Sequence, residues 1–416
     1  MTQPMKWLIP MLLPTVLFFL AAEVIVRLLH PDLQLFRRGE NVEMFEDSPH
    51  LFWRLKPEQT TPYKNVLIAN EKNRQSVAVT TNAFGLRGRN FSRHKPQGGR
   101  RLMAMGDSTT FGYGVAPEEN YAQDLQQALG DPEKTLVINA GVPGYSSFQN
   151  KVQWFDQLRD FSPDVIILAN PGINDLQDRE QSDSELQGPS QKNLWLTKAL
   201  FRSHFYLWFR KTLTESLRRK KQKGSPVATK KLRNTPETYR ANLQAIIEDA
   251  KKQNIKIILM YIPIERMVFE KEEDALRVPA EFNAQAAALC EQALGALNSG
   301  DADQAISFAT QATAIQPNVP LAYQIMALAF QKNGDAVQAK HFDEKAKGVV
   351  GYSIWSYYRA MQSLAQDENV AWVDLLGAFR DAAKKQNLFL ENIHPNAAGH
   401  HLIAENLRQH LTPAPR

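Results

Sequence analysis

The sequence is poor in the residues that build covalent and metal-bound frameworks. Its 416 residues hold one cysteine, Cys290, so an intrachain disulfide framework and a thiolate-rich metal site are both excluded. Apart from His394, the histidines (His30, His50, His94, His204, His341, His400, His401 and His410) show no paired ligand spacing. No metal site is therefore expected, and nothing in the chain calls for a cofactor. Charge of one sign is scarce except in one place. Between Arg202 and Arg233 there are eleven Lys or Arg against the single acid Glu215, although the whole chain carries only +5, so the rest of the protein is mildly acidic. An enzyme acting on nucleic acid carries its basic surface beside its chemistry; here the basic residues sit in one segment, and no nucleic-acid partner is expected. With 43% hydrophobic and 22% charged residues the composition is globular rather than disordered. The length implies a main domain with additions.

One long apolar run is present. No residue from Trp7 to Ala22 is charged, and Val24 to Val26 continue the run past Glu23. A membrane-spanning helix needs roughly 17–25 largely apolar residues. A cleaved signal peptide is the competing reading, but Ala-Ala-Glu is a poor cleavage site and the segment enters Arg27-Leu-Leu-His without a small-residue break. An uncleaved transmembrane signal anchor over 1–30 is the better fit, contacting the membrane through 7–26. The flanking charges do not set orientation by the positive-inside rule. The expected setting is a single-pass protein of a bacterial inner membrane with the domain beyond the anchor periplasmic or otherwise extracytoplasmic.

Beyond the anchor, 31–98 forms an N-terminal extension with one alternating stretch, 76–81, that predicts a strand. From residue 101 short apolar strands alternate with amphipathic helices. Strands are predicted at 101–105, 135–139, 165–169 and 255–261, and helices at 121–129, 148–158 and 237–253. This pattern predicts an α/β fold with a parallel sheet covered by helices on both faces, whose reacting groups gather at the carboxyl ends of the strands. Two segments interrupt it. One is 194–217, rich in Trp195, Phe201, Phe205, Tyr206, Trp208 and Phe209 and leading into Arg218-Arg-Lys-Lys-Gln-Lys223. It can be read as a helix lying on an anionic membrane, or as a lid or core helix followed by a solvated loop; the second is preferred here. The other, 280–348, is helix-forming throughout and repeats a Gly-Asp turn, at Gly300-Asp301 and Gly334-Asp335, with an alanine at the same offset after each.

Four short blocks carry the chemistry. Gly106-Asp107-Ser108-Thr109 follows a predicted strand, where a serine at a helix start can face a cleft and the first N–H groups can face an oxyanion. Asn139-Ala-Gly141-Val-Pro-Gly144 follows the next strand, and two glycines there permit a turn whose N–H approaches a substrate closely. Gly172-Ile-Asn174-Asp175 supplies a carboxamide donor suited to an oxyanion. Glu391-Asn-Ile-His394-Pro395 offers an imidazole base with a carboxylate three residues before it, able to hold it in the right tautomer. Asp107 and Asp175 are expected to hold loops rather than to react, and His400 and His401, on the closing helix, to be solvated.

In this order the four blocks resemble those of the SGNH hydrolase superfamily, the GDSL-like esterases and lipases. The resemblance spans about 99–264 and 350–412. It implies a three-layer α/β/α sandwich on a five-stranded parallel sheet, with Ser108 as nucleophile and His394 as base. It further implies an oxyanion hole of Ser108, Gly144 and Asn174; Gly144 corresponds better than Gly141, since the family's donor is the second glycine of such a stretch. One position departs from the family: Glu391 stands where Asp is usual, adding a methylene to the triad acid. The interrupting helices resemble tetratricopeptide repeats, which have a period of about 34 residues and pack or bind protein partners.

The expected organisation is thus a transmembrane anchor (1–30), an extension (31–98), a hydrolase domain in two parts (99–279 and 349–416) and a helical-repeat insertion (280–348). The expected activity is that of a serine esterase using Ser108, His394 and Glu391 on an acyl or acetyl ester. The ester would be borne by a small molecule, a lipid or an envelope polysaccharide. An O-acyltransferase using the same site, with a polysaccharide as acceptor, is one alternative; a non-catalytic scaffold of an envelope assembly is another.

Overall fold

The computed structural model describes residues 5–31, 33–36, 41–64, 76–187, 194–224 and 229–411; the side chains of 5–12, 194, 195, 198 and 218–224 are outside the described set. The chain forms two compact units, one of residues 57–186 and 227–416, the other of 1–56 and 187–226. The extension 31–98 is therefore divided between them.

In the larger unit five strands form one parallel sheet. They are β1 (Arg100–Gly106), β2 (Thr135–Asn139), β3 (Val165–Ala169), β4 (Lys256–Tyr261) and β5 (Ala371–Asp374), in the spatial order β5-β4-β3-β1-β2. β3 is central because all five of its residues are apolar and all are buried, as a strand covered on both faces requires. Helices Tyr121–Leu129 and Ala397–Leu411 pack on each other, and Pro236–Lys252 packs on both Ser147–Asp156 and Ile354–Asp367. The unit is α/β with a parallel sheet, as the alternating pattern predicts. β5 has no counterpart among the predicted strands: it is four residues long, lies at the sheet edge and fully buries only Val373, so it lacks a periodic apolar signal. Of the extension, Ser76–Thr80 is a strand as predicted, and its partner is Thr60–Lys64, whose Pro62 masked it in the sequence. Proline is tolerated there as in other edge strands.

Residues 284–347 fold as four consecutive helices, Ala284–Ser299, Ala302–Ile315, Pro320–Lys332 and Ala336–Lys347, each packed on the next. The two Gly-Asp turns have nearly the same conformation. Gly300 and Gly334 have φ of +90° and +80°, and the carboxylates of Asp301 and Asp335 accept from Gln304 N and Gln338 N, both at 3.0 Å. Where the segment leaves and rejoins the α/β core, Val278 and Tyr352 exchange two backbone hydrogen bonds of 2.8 and 2.7 Å. The insertion is thus tied off at its base.

The smaller unit contains helix α1 (Met5–Leu29), the hairpin of Phe45–Ser48 with Phe52–Leu55, a short helix Leu194–Leu200 and helix α2 (His204–Gly224). The Glu23 carboxylate of α1 accepts from Ser203 Oγ (2.7 Å), His204 N (3.0 Å) and Phe205 N (3.0 Å), capping the start of α2. The segment expected to anchor the chain is therefore helical. Among the described residues, however, no helix is long and apolar enough to cross a membrane. Part of the 7–26 run lies outside the described side chains, Glu23 interrupts the remainder, and Arg27 directly follows it.

Candidate active site

The position of Ser108 follows from the end of β1. Gly106 leaves no room for a side chain: a Cβ would lie 2.0 Å from the Ala169 carbonyl and 2.2 Å from Thr110 Oγ1. The chain can therefore turn from β1 tightly against the end of β3. Asp107 caps the four-residue helix Ser108–Phe111, its carboxylate accepting from Thr109 N and Thr109 Oγ1, each at 2.8 Å. Burial pushes Asp107 above the usual carboxylate range, against those bonds. It holds the loop, as expected of it. Ser108, on the first turn, is 8% exposed.

His394 arrives from the far end of the sequence. Its loop is closed by Leu390 N donating to the His394 carbonyl and Asn396 N donating to the Leu388 carbonyl, both at 2.9 Å. The imidazole Nε2 lies 2.7 Å from Ser108 Oγ, and Nδ1 is hydrogen-bonded to Glu391 Oε1. The Glu391 carboxylate also accepts from Ile393 N (3.0 Å) and His394 N (3.3 Å). Burial alone would raise Glu391, but the His394 ring and these two N–H groups together hold it below its ordinary value. An ionised Glu391 can only accept, so Nδ1 carries the proton and the Nε2 lone pair faces the serine. The extra methylene is accommodated because Glu391 bends back over its own turn.

The remaining two residues lie on neighbouring loops. Asn174 Nδ2 donates to Asp107 Oδ2 (2.9 Å) while its Oδ1 accepts from Gln177 Nε2 (3.2 Å), which orients the amide and leaves its second N–H for another acceptor. Gly144 has φ +82°, a left-handed conformation suited to glycine, and its carbonyl accepts from Arg233 Nη1 at 2.9 Å. Gly141 has a packing role, since a Cβ there would meet Phe111 N at 2.3 Å. The structure thus brings Ser108, His394 and Glu391 into one hydrogen-bonded chain. It ties Asn174 to the residue preceding Ser108, and it holds Gly144 through Arg233.

Several supporting residues had no sequence signal. Arg233 and Asp183, both fully buried, form an ion pair of 3.1 Å, and Asn234 Nδ2 links Asp183 to Asp175. Asp175 also accepts from Ser147 N and Oγ. Burial pushes Asp175 up to about 7 against those bonds and the charge of Arg233. Tyr113 stacks on the His394 ring at 4.5 Å between centroids and 26° between planes. Its turn is clamped by Arg87, which donates to the carbonyls of Phe111 and Gly112 (2.6 Å each) and Val115 (2.9 Å). Only the Gly112-Tyr113-Gly114 spacing, five residues after the serine, was a possible cue. One expectation is corrected: His400 is not solvated but fully buried, stacked on Tyr121. Gly399 makes this possible, because a Cβ there would meet the Leu388 carbonyl at 2.5 Å. His401, its neighbour, is exposed, with 67% side-chain exposure.

Residues 104–299 match the model of the GDSL-like lipase/acylhydrolase family. The match takes in Ser108, Gly144 and Asn174, runs to the end of the first helix of the insertion and stops before His394. Among solved structures, the chain is similar to an acetyl xylan esterase, AlAXEase (15% identity, 75% of this chain and 100% of that one, TM-score 0.36). It is also similar to the acetylxylan esterase Axe2 of Geobacillus stearothermophilus (17% identity, 77% and 97%, TM-score 0.35). A third is a putative acylhydrolase from Bacteroides fragilis (14% identity, 75% and 86%, TM-score 0.34). No curated protein sequence matches the chain. The serine block at the end of β1 thus lies in a GDSL-like lipase/acylhydrolase domain over residues 104–299, the domain of an SGNH-type serine hydrolase acting on ester bonds.

Proposed function

We propose that the protein hydrolyses acyl or acetyl esters through Ser108, His394 and Glu391. The observation that carries this reading is the 2.7 Å approach of Ser108 Oγ to His394 Nε2, with Glu391 bound to the opposite ring nitrogen. In the first step Ser108 Oγ bonds to the ester carbonyl carbon while its proton passes to Nε2. The carbonyl oxygen becomes an oxyanion facing Ser108 N–H, Gly144 N–H and the second N–H of Asn174. The C–O bond of the leaving group then breaks, and its oxygen takes the proton from Nε2. Water repeats the sequence on the acyl-serine, giving up a proton to Nε2, and releases the acid with Ser108 restored. Glu391 stays ionised and stabilises the imidazolium formed in each half.

The substrate belongs, in this reading, to the cell envelope or its exterior, with an acetylated polysaccharide as the first class to test. The protein would be held at a bacterial inner membrane by α1. Supporting this, α1 leaves Leu13, Val16, Leu17, Phe18, Phe19 and Leu20 each more than half exposed, a surface that water does not favour. The test is labelling of the full chain with a fluorophosphonate alongside hydrolysis of p-nitrophenyl acetate. Wild type is expected to label and turn over, while Ser108→Ala and His394→Ala each lose activity by about 10⁴-fold or more. Folded wild-type protein that neither labels nor turns over would overturn the reading in favour of a scaffold.

A further inference from the structure

Helix α2 carries an apolar stripe that the described residues leave largely exposed beyond Phe205. Phe205, Phe209, Leu213 and Leu217 recur every four residues, the spacing that puts side chains on one helical face, and Trp208 flanks them. Trp208, Phe209, Leu213 and Leu217 are 36%, 51%, 47% and 57% exposed. A core helix would bury such a stripe, so the reading of this segment as a core helix does not describe it. Nor is the stripe isolated. Phe205 meets Phe19 of α1 edge-on at 5.7 Å, so the exposed apolar surfaces of the two helices join.

We infer that α2 lies in the interface of an anionic lipid bilayer, with this stripe among the acyl chains and the basic end of the helix at the phosphates. Three observations select lipid as the occupant. The stripe is contiguous with α1, itself largely apolar and exposed, which makes one surface too broad to leave facing water. At 1.5 Å per residue, Phe205 to Leu217 extends only about 18 Å, against roughly 30 Å of hydrocarbon. That length fits a helix lying in the membrane plane rather than crossing it. Directly after Leu217 the sequence runs Arg218-Arg-Lys-Lys-Gln-Lys223, five cations with no acid between them, in a protein whose residues outside 202–233 are net acidic. An apolar stripe followed by concentrated positive charge is the pattern of helices that bind anionic membranes.

This extends the membrane attachment proposed for α1, and the experiment separates the two. Full-length protein carrying Cys290→Ala receives Leu213→Cys or, one residue round the helix, Thr214→Cys. Each is labelled with an environment-sensitive fluorophore and mixed with vesicles of phosphatidylcholine alone or containing phosphatidylglycerol. The expected result is a blue shift at 213 in phosphatidylglycerol vesicles, with quenching by brominated acyl chains at least about twofold stronger than at 214. Replacing Arg218, Arg219, Lys220, Lys221 and Lys223 by Gln should abolish the preference for phosphatidylglycerol. If the protein co-sediments with vesicles but 213 stays aqueous, the α2 inference fails while attachment by α1 stands. If 213 is shielded from water but not quenched by brominated lipid, a protein surface covers the stripe and the inference also fails. A chain left in the supernatant would overturn both.

Discussion

The loops at the carboxyl ends of β1, β2 and β3 and the four-helix insertion solve opposite packing problems. The loops bury charge and polarity: Asp107, Asp175, Asp183 and Arg233 are all fully buried, and each has hydrogen-bonding partners. The core of the insertion is alanine and aliphatic, with Ala293, Ala305, Ala309, Ala312, Ala322, Ile325 and Ala329 all fully buried and Cys290 among them. Burial in that apolar setting pushes the Cys290 thiol up to about 12, so it is inert as a nucleophile. Buried polar groups tolerate one arrangement, because each lost partner leaves a desolvated donor or acceptor. Small apolar side chains ask only for volume. One region therefore specifies atomic positions, as a reacting site requires, and the other specifies a rigid shape.

Substitutions in the two regions should separate these roles. After Ser108→Ala and His394→Ala, the largest effect is expected for Glu391→Gln, on the turn that brings His394 to the loop cluster, which removes the charge that fixes the His394 proton on Nδ1. The value of kcat/KM should fall by roughly 10³-fold with little change in thermal stability, and a loss under tenfold would mean that the backbone of the turn orients the base. Arg233→Met should break the buried pair and cost about 3–5 kcal/mol in denaturant unfolding. Because it also releases the Gly144 carbonyl, activity per folded molecule should drop too; unchanged kcat in the folded fraction would show that the Gly144 loop is held without it. Ala305→Leu overfills the helical core and should cost about 1–3 kcal/mol while leaving ester hydrolysis at the wild-type rate. A matching loss of activity would erase the contrast between the regions.

The smallest expected effect concerns His400. Burial holds it down to about 3 from an ordinary 6.5, reinforced by the charge of Arg87. The unfolded chain takes up the proton first. The contribution of neutral His400 is therefore complete above pH 6.5 and is lost progressively as pH falls toward 3. Stability should fall more steeply across that window in wild type than in His400→Phe, which keeps an aromatic ring against Tyr121. Parallel profiles would mean that water reaches the ring.

The residues proposed as catalytic were legible because their blocks are local. Gly106-Asp107-Ser108 needs only a strand end before it, and Glu391 reaches His394 within a single turn. Their support was illegible because it is assembled from distant segments. Arg233 reads as one more cation of a basic stretch until it is buried against Asp183, and Arg87 reads as part of a polar extension until it clamps the turn of Tyr113. His400 was misjudged for the same reason: the closing helix looks two-sided until Gly399 lets it press against Leu388.

By itself, then, the sequence determined the parallel α/β core, the serine, histidine and carboxylate, and the presence of a helical insertion with paired Gly-Asp turns. Each depends on periodicity or on contacts a few residues apart. Only the tertiary structure decided that Ser108 and His394 meet at 2.7 Å across 286 positions of chain, that the buried network behind Gly144 is ionic, and that the aromatic stripe of α2 is exposed. These depend on which surfaces are removed from water together, and burial is a property of the folded chain rather than of any one segment.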